Sequence, residues 1–300
     1  MSYDLIYEKL PNLPISLSGS QCVLFNKEIL ICGGENSNLC YSYHTLKRQY
    51  KLICSYPQGV RLNGHAVLEL AKVGRKTTIL LSFGGKHKHT LAMKYRSVWN
   101  KADTYMNEWT KAKGLTLSNE EMWSVRAALG GQKKELLFIV YKPKNIIVFN
   151  IETLKLVTKS TLPIDKIYGG SCFVQTENEM LFFNWNNGLR IKYHEKTNRF
   201  KYERLSISPQ FIAFDCSYVR VSDAILLFGG YDSHDKITDQ IHVYFFKSKK
   251  WKQYPYRLPS SICNSFALLS SDSNWVYLIG GQNKSFGNSH FKIKIDDIVQ

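Results

Sequence analysis

Four short apolar runs in this chain end in paired glycines. They are ILICGG, closing at Gly33 and Gly34, ILLSFGG at Gly84 and Gly85, AILLFGG at Gly229 and Gly230, and WVYLIGG at Gly280 and Gly281. Self-similarity of this kind marks a chain built by stacking one supersecondary unit that cannot bury its apolar face alone. Two further runs, LLFIVY at 136–141 and MLFFNW at 180–185, fill the long gap at matching positions but have lost the glycines. Six units of near fifty residues therefore account for the 300. Apolar residues make up 44% and aromatics 13%, with 18 Tyr and 16 Phe, a balance that suits half-buried strands and an all-β class.

A second marker follows each run. An aromatic or apolar residue stands seven positions before another in Tyr43 and Tyr50, Phe149 and Leu156, Tyr193 and Phe200, and Tyr244 and Trp251, with Trp99 and Trp109 as a stretched version. The residues between, such as NIETLK and HEKTNR, are polar and turn-like, so each pair predicts a hairpin. A third marker closes each unit at Leu13-Pro14, Tyr56-Pro57, Leu162-Pro163, Ser208-Pro209 and Leu258-Pro259, where proline, lacking a ladder donor, can end a strand. Each unit thus holds four strands, which is a propeller blade. An apolar strand ending in Gly-Gly, followed by a spaced Tyr and Trp, resembles the kelch repeat; blade 5 alone keeps Gly-Gly, Tyr244 and Trp251 together. The expectation is one six-bladed kelch-type domain over 1–300, with blades at 15–57, 58–115, 116–163, 164–209, 210–259 and 260–300.

The last unit stops after its third strand, HFKIKID, whose marker by spacing is Ile295. The N-terminal segment 3–14 carries an orphan strand in which Tyr7 precedes Leu13-Pro14 by six residues, as Tyr50 precedes Tyr56-Pro57. That strand is expected to complete the last blade, removing the free edges of an open stack.

In such a blade the strand 2–3 and interblade connections emerge on one face, and the 1–2 and 3–4 connections on the other. From the second glycine to the third-strand marker is 14 residues for Gly85 to Trp99, Gly230 to Tyr244 and Gly281 to Ile295, but nine for Gly34 to Tyr43. Blades 2, 5 and 6 are therefore expected to project longer loops on that face. Those loops carry Lys86, His87, Lys88, Tyr231 and Phe286, beside the interblade residues Arg61, Asn63, Trp123, Tyr168, Phe211 and Asn264. The kelch resemblance implies peptide binding there, and function on loops of a rigid scaffold is the common arrangement.

Candidate chemistry is sparse. His87 and His89 have no Cys or carboxylate at short range, so an exposed basic loop is expected rather than a metal site. His65 lies where kelch repeats often carry a first-strand histidine, and a structural role is expected because no local nucleophile or acid accompanies it. Glu120-Glu121 could suggest paired carboxylates, but adjacency does not demonstrate the opposed geometry of a glycosidase pair, and a solvated interblade loop is expected. The Tyr, His and Cys residues are scattered rather than grouped as a kelch-like copper radical oxidase needs. No cofactor is expected. Seven cysteines, five of them in apolar strands, predict reduced thiols in a reducing compartment. No secretory leader or membrane-length apolar run is found, so a soluble cytoplasmic protein is expected, with the nucleus an alternative.

The net charge of +16 would attract acidic partners at long range. Residues 72–114 hold ten Lys or Arg against Asp103 and Glu108, and 247–257 adds five bases. Blade topology separates Lys72, Arg75 and Lys76 from Lys86 and Lys88, so a continuous nucleic-acid groove is not favoured. The sequence points to a non-catalytic module recognising an acidic peptide or protein, such as a ubiquitin-ligase component or a cytoskeletal protein. A propeller enzyme with an axial site and nonspecific polyanion binding are the alternatives.

Overall fold

The computed structural model describes residues 7–100, 105–114, 122–207, 214–283 and 287–295. They form twenty-four antiparallel strands in six four-stranded sheets, with no helix among the described residues. Blade 1 runs β2 (Gln21–Phe25), β3 (Glu28–Gly34), β4 (Ser37–His44) and β5 (Gln49–Ser55). Blade 2 runs β6 (His65–Lys72), β7 (Thr77–Gly84), β8 (Thr90–Arg96) and β9 (Thr110–Lys111). Blade 3 holds β10 (Arg126–Gly130) to β13 (Lys155–Thr161), blade 4 β14 (Cys172–Gln175) to β17 (Arg199–Arg204), and blade 5 β18 (Ser217–Val221) to β21 (Lys250–Arg257). Blade 6 is β22 (Phe266–Leu269), β23 (Trp275–Ile279), β24 (His290–Lys294) and the N-terminal β1 (Tyr7–Lys9). The fold is a six-bladed β-propeller.

Its core is six clusters, each shared by two neighbouring blades. The second strands supply the largest share of it, because they are covered on both faces. All seven residues of β3 and all six of β11 (Leu136–Tyr141) are buried, which explains why these runs read as continuously apolar rather than alternating.

The paired glycines mark where strand 2 ends between two chain segments. A Cβ on the first glycine would meet the segment leading into the next blade: Leu62 Cδ1 at 2.1 Å from Gly33, Val125 Cγ1 at 2.8 Å from Gly84, Ile262 O at 2.1 Å from Gly229 and Leu17 O at 2.7 Å from Gly280. A Cβ on the second would meet the segment leading into its own blade, as at 2.8 Å from Gly34 to Ser18 O and 2.7 Å from Gly230 to Phe214 O. Blade 4 solves the same junction differently. The Asn184 carboxamide bonds Tyr168 N at 2.8 Å and Tyr168 O at 2.6 Å, and the glycines move to the opposing segment as Gly169 and Gly170.

The hairpin markers pair as Tyr43↔Tyr50, Phe149↔Leu156, Tyr193↔Phe200 and Tyr244↔Trp251. Blade 2 departs from the expectation. The residue opposite the position four before the first glycine is Tyr43 in blade 1, Tyr244 in blade 5, but Met93 in blade 2. Trp99 lies beyond β8 and packs on blade 1, donating from Nε1 to Ser42 Oγ at 2.9 Å, while Trp109 keeps the fourth-strand place just before β9. The long insertion of blade 2 is therefore its 3–4 connection, on the face opposite the one assigned to it. Only blades 5 and 6 carry long 2–3 connections, 229–239 and 280–289. The blade 6 marker is likewise Ile293, opposite Val276, rather than Ile295.

Closure follows the expectation. β1 pairs with β24 as Tyr7↔Ile293, Glu8↔Lys292 and Lys9↔Phe291, which puts Tyr7 at the register place that Trp251 holds in blade 5. Glu8 bridges Arg48 of blade 1 at 2.6 Å and Lys292 of blade 6 at 2.7 Å. Tyr50 of blade 1 bonds both Pro11 O, at 3.0 Å, and the His290 ring. No helix of the described residues is long and apolar enough to cross a membrane.

Removing residues 1–10 deletes β1 and both ion pairs of Glu8, and leaves the outer edge of β24 unpaired. The expected result is a lower unfolding temperature and self-association in sedimentation, against no change when residues 299–300 are trimmed; equal behaviour of the two truncations would refute the closure. Gly229→Ala should cost about 2–5 kcal/mol in urea unfolding, because the positive φ and the clash with Ile262 O act together. Gly74→Ala, also at positive φ but with nothing within 4 Å of the new Cβ, should cost only about 1 kcal/mol.

Candidate functional site

Each first strand is preceded by one residue in the left-handed region: Gly19, Gly64, Ser124, Gly169, Asp215 and Asn264. These six kinks ring the axis on the face of the 2–3 connections. Part of the ring is closed by backbone bonds from blade to blade, Gly19 N to Asn264 O, Asn264 N to Asp215 O and Asp215 N to Gly170 O, at 2.8–3.3 Å. The residue just before each kink faces the residue that follows the end of strand 2, as in Glu35 N to Ser18 O, Lys86 N to Asn63 O, Tyr231 N to Phe214 O and Gln282 N to Cys263 O.

Side chains at these paired positions divide the face in two. Blades 1, 2 and 6 have Ser18 with Glu35, Asn63 with Lys86, and Cys263 with Gln282, of which Ser18 and Cys263 are buried. Blades 3, 4 and 5 present Trp123 with Lys142, Tyr168 with Trp185, and Phe214 with Tyr231. The second set forms an arc. Tyr168 and Trp185 lie 5.3 Å apart, Trp185 and Phe214 5.6 Å, and Phe214 and Tyr231 5.3 Å. Lys142 lies 4.0 Å from the Trp123 ring centre and Lys166 4.7 Å from that of Tyr168, both cation–π distances. The Trp123 indole donates to Asn63 Oδ1 at 3.2 Å, joining the two halves.

Two hollows lie on this face. An axial depression of about 290 Å³ is lined by Gln21, Asn63, Trp123, Arg126, Asp215 and Asn264, among others. Gln21, Arg126 and Asn264 also line a smaller cavity of about 100 Å³ that extends along the first strands. Arg126 spends Nε on Ser171 O at 2.9 Å and one terminal nitrogen on Val125 O at 3.0 Å. Asp215 accepts from Gly170 N at 2.5 Å; burial raises its carboxyl above the ordinary range, and that bond, Arg126 and Lys142 oppose the rise. Lys142 is held below its ordinary value by burial, with Asp215 opposing and Lys166 adding to the effect. The second hollow is a groove of about 450 Å³ between blades 1 and 2, where Arg61, Lys86 and His87 meet Glu35, Asn36 and Asn63. A larger hollow of about 850 Å³ opens on the opposite face, with Lys134 and Arg220 set against Glu177 and Glu195.

Of the residues expected from the sequence, Arg61, Asn63, Lys86 and His87 come together in the groove, and Asn63, Trp123 and Asn264 at the axial depression. Tyr168 and Tyr231 stand in the aromatic arc. Lys88 is exposed on the same connection but does not line the groove. Phe211, Phe286 and Glu120-Glu121 lie outside the described residues. Arg126, Lys142, Trp185, Phe214 and Asp215 were missed. Their signal is positional: each sits at or next to the residue before a first strand or after a second.

No protein-family model matches the sequence, and no curated protein matches it. The structure of YjhT superposes with a TM-score of 0.70 over 95% of this chain and 95% of that one, at 12% identity. At that identity the likeness is one of fold. Among the described residues no group of three or more His, Cys, Asp or Glu is arranged to hold a metal ion.

The nearest arrangement to a nucleophile and base is Ser82 Oγ, 2.8 Å from His89 Nε2, with Tyr56 donating to Ser82 at 2.9 Å. Ser82 is fully buried, and Tyr56 is stacked on Trp109 at 4.7 Å, so this is packing between blades 1 and 2. His65 is also fully buried, its Nε2 3.1 Å from Cys32 O, which agrees with a structural role. Burial holds four imidazoles well below their usual value, His65 and His290 at about 3 and His89 and His242 at about 4; for His65 the neighbouring His89 adds to it. Unfolding frees them to titrate near 6.5. Because their folded values are depressed, the unfolded chain binds the extra protons, and stability is lost as pH falls below about 6.5. Each contributes up to about 1.4 kcal/mol per pH unit until its folded value is reached. The urea midpoint should therefore be level from pH 8 to 7 and fall steeply between pH 6 and 4; a level midpoint throughout would show that these rings are charged in the folded protein.

Proposed function

We propose that this propeller is a non-catalytic binding module that takes an extended acidic segment of another protein across the face formed by its 2–3 and interblade connections. The observation that carries the reading is the convergence of Arg61, Lys86 and His87, from two separate connections, on one groove that leads past Asn63 to the axial depression. Arg61 offers a planar fork of donors suited to a carboxylate, and Lys86 a compact charge beside it. The aromatic arc continues the track across blades 3 to 5 and suits apolar or aromatic side chains of the same segment. Because the Gly-Gly, Tyr and Trp pattern of blade 5 resembles the kelch repeat, the role that fits is recognition on behalf of another chain. A substrate adaptor of a ubiquitin ligase or a cytoskeleton-associated scaffold, acting in the cytoplasm, has that character.

Fluorescence anisotropy at physiological salt, with labelled acidic peptides and their Lys/Arg counterparts, tests this. Acidic peptides containing Tyr or Phe should bind, and R61E with K86E and K88E should weaken binding tenfold or more. The opposite-face change K72E with K76E should leave it within twofold. Equal losses from both sets, or no preference for acidic peptides, would overturn the reading. Tighter binding of a single-stranded oligonucleotide, falling steeply with salt, would assign the face to polyanions instead.

A further inference from the structure

Cys32, Cys40 and Cys54 stand in a row across β3, β4 and β5 of blade 1. Cys32 is the register partner of Cys40, and Cys40 that of Cys54. Residues directly opposite on antiparallel strands share one face of the sheet. Here it is the face packed against blade 2. Cys54 meets the Met93 thioether at 3.8 Å, and the Trp109 indole donates to Cys40 Sγ at 3.4 Å. Cys32 and Cys40 are sealed, whereas Cys54, on the outermost strand, is the one described cysteine that is partly open to solvent.

We propose that Cys54 and Cys40 are an oxidisable dithiol, with Cys54 the residue that meets the oxidant and Cys40 the residue that resolves it. Directly opposed residues of an antiparallel pair have Cα atoms about 4.5–5.5 Å apart, inside the roughly 4.4–6.8 Å window of disulfides. With hydrogen peroxide, the Cys54 thiolate attacks one peroxide oxygen and the O–O bond breaks. Cys54 becomes a sulfenic acid, and the other oxygen leaves as water. The Cys40 sulfur then displaces the sulfenic oxygen, the S–S bond forms, and that oxygen leaves as a second water with the Cys40 proton. Two thiols are oxidised and one peroxide is reduced to two waters. Trp109 favours the step, because its N–H stabilises negative charge developing on Cys40. The neighbouring Cys40 and then burial hold the Cys54 thiol high, and burial does the same for Cys40. Thiolate is therefore scarce at neutral pH, and the reaction is slow there and faster as pH rises.

The dithiol lies just under the groove between blades 1 and 2. Val60 and Leu62, which line that groove, belong to the same apolar cluster as Cys40, Cys54 and Met93. The disulfide itself does not depend on what the groove binds.

The folded protein is treated with hydrogen peroxide at pH 7 and pH 9, remaining thiols are blocked in denaturant, and cross-links are mapped by mass spectrometry without reduction. The expected product is a Cys40–Cys54 disulfide, formed faster at pH 9 and reversed by dithiothreitol, with the other five cysteines still alkylated. In Cys40→Ser, Cys54 should instead run on to sulfinic acid. A cross-link between Cys32 and Cys40, or Cys54 oxidised without any cross-link in the unmodified chain, would overturn the proposal. So would no oxidation of Cys54 in protein that stays folded by circular dichroism.

Discussion

The propeller depends on the close approach of three chain segments at the end of each second strand. The strand ends between the segment leading into its own blade and the one leading into the next, and where the pair is kept the gap on each side is too narrow for a Cβ. At Gly229 the next lead-in carbonyl lies 2.1 Å from where a Cβ would be, and at Gly230 its own lead-in carbonyl lies 2.7 Å away. Close-packed interiors tolerate no such overlap. The two glycines therefore fix the distance between successive blades at the four junctions that keep them. Blade 4 shows that the constraint belongs to the junction rather than to the glycine. Asn184 there replaces backbone proximity with three hydrogen bonds, and the small residues appear on the facing segment as Gly169 and Gly170.

The same junctions that hold the blades together display the binding face. A lead-in segment pinned by strand 2 must kink to enter the first strand, and in blades 2 to 5 the residue in front of the kink, Asn63, Trp123, Tyr168 or Phe214, stays accessible, whereas Ser18 and Cys263 are buried. With the residues after strand 2 they form a display on a repeated backbone. Its side chains can therefore vary without cost to the fold. Here blades 3 to 5 carry Trp123, Tyr168, Trp185, Phe214 and Tyr231, whereas blades 1, 2 and 6 show Glu35, Asn63, Lys86 and Gln282, so the face has a direction. A bound chain would pass from the charged groove of blades 1 and 2 to the rings of blades 3 to 5, which is a basis for orientation as well as affinity.

Much of this was legible in the sequence because strand periodicity and junction chemistry both leave short-range marks. Gly-Gly located four junctions, the seven-residue spacing located four hairpins, and Tyr7 with Leu13-Pro14 located the closing strand. Trp99 misled because it is a large aromatic near the expected spacing; the residue that fills the place is Met93, whose flexible thioether packs where Tyr43 and Tyr244 pack in their blades. That error carried the longest loop of blade 2 to the wrong face. The aromatic arc was only half seen, through Tyr168 and Tyr231. Trp185 follows a second strand that does not end in glycines, where the chain offers no local landmark, and Asn184 does its work through a side chain that no spacing rule predicts.

The net charge of +16 bears on this face in a limited way. Positive charge spread over both faces raises the encounter rate with any acidic partner, but beyond about 8 Å it is screened at physiological salt and cannot choose between faces. Choice has to come from groups at contact distance. In the groove, Glu35 is engaged by Asn63 Nδ2 at 2.9 Å and so is drawn to one side of the cations it accompanies. On the other face Lys47 and Lys51 of blade 1 are folded over the Trp99 ring at 5.2 and 4.7 Å, and Lys134 and Arg220 of the larger hollow are set against Glu177 and Glu195. Discrimination between the faces thus follows from which cations remain poised toward a concavity, rather than from where most of the charge lies.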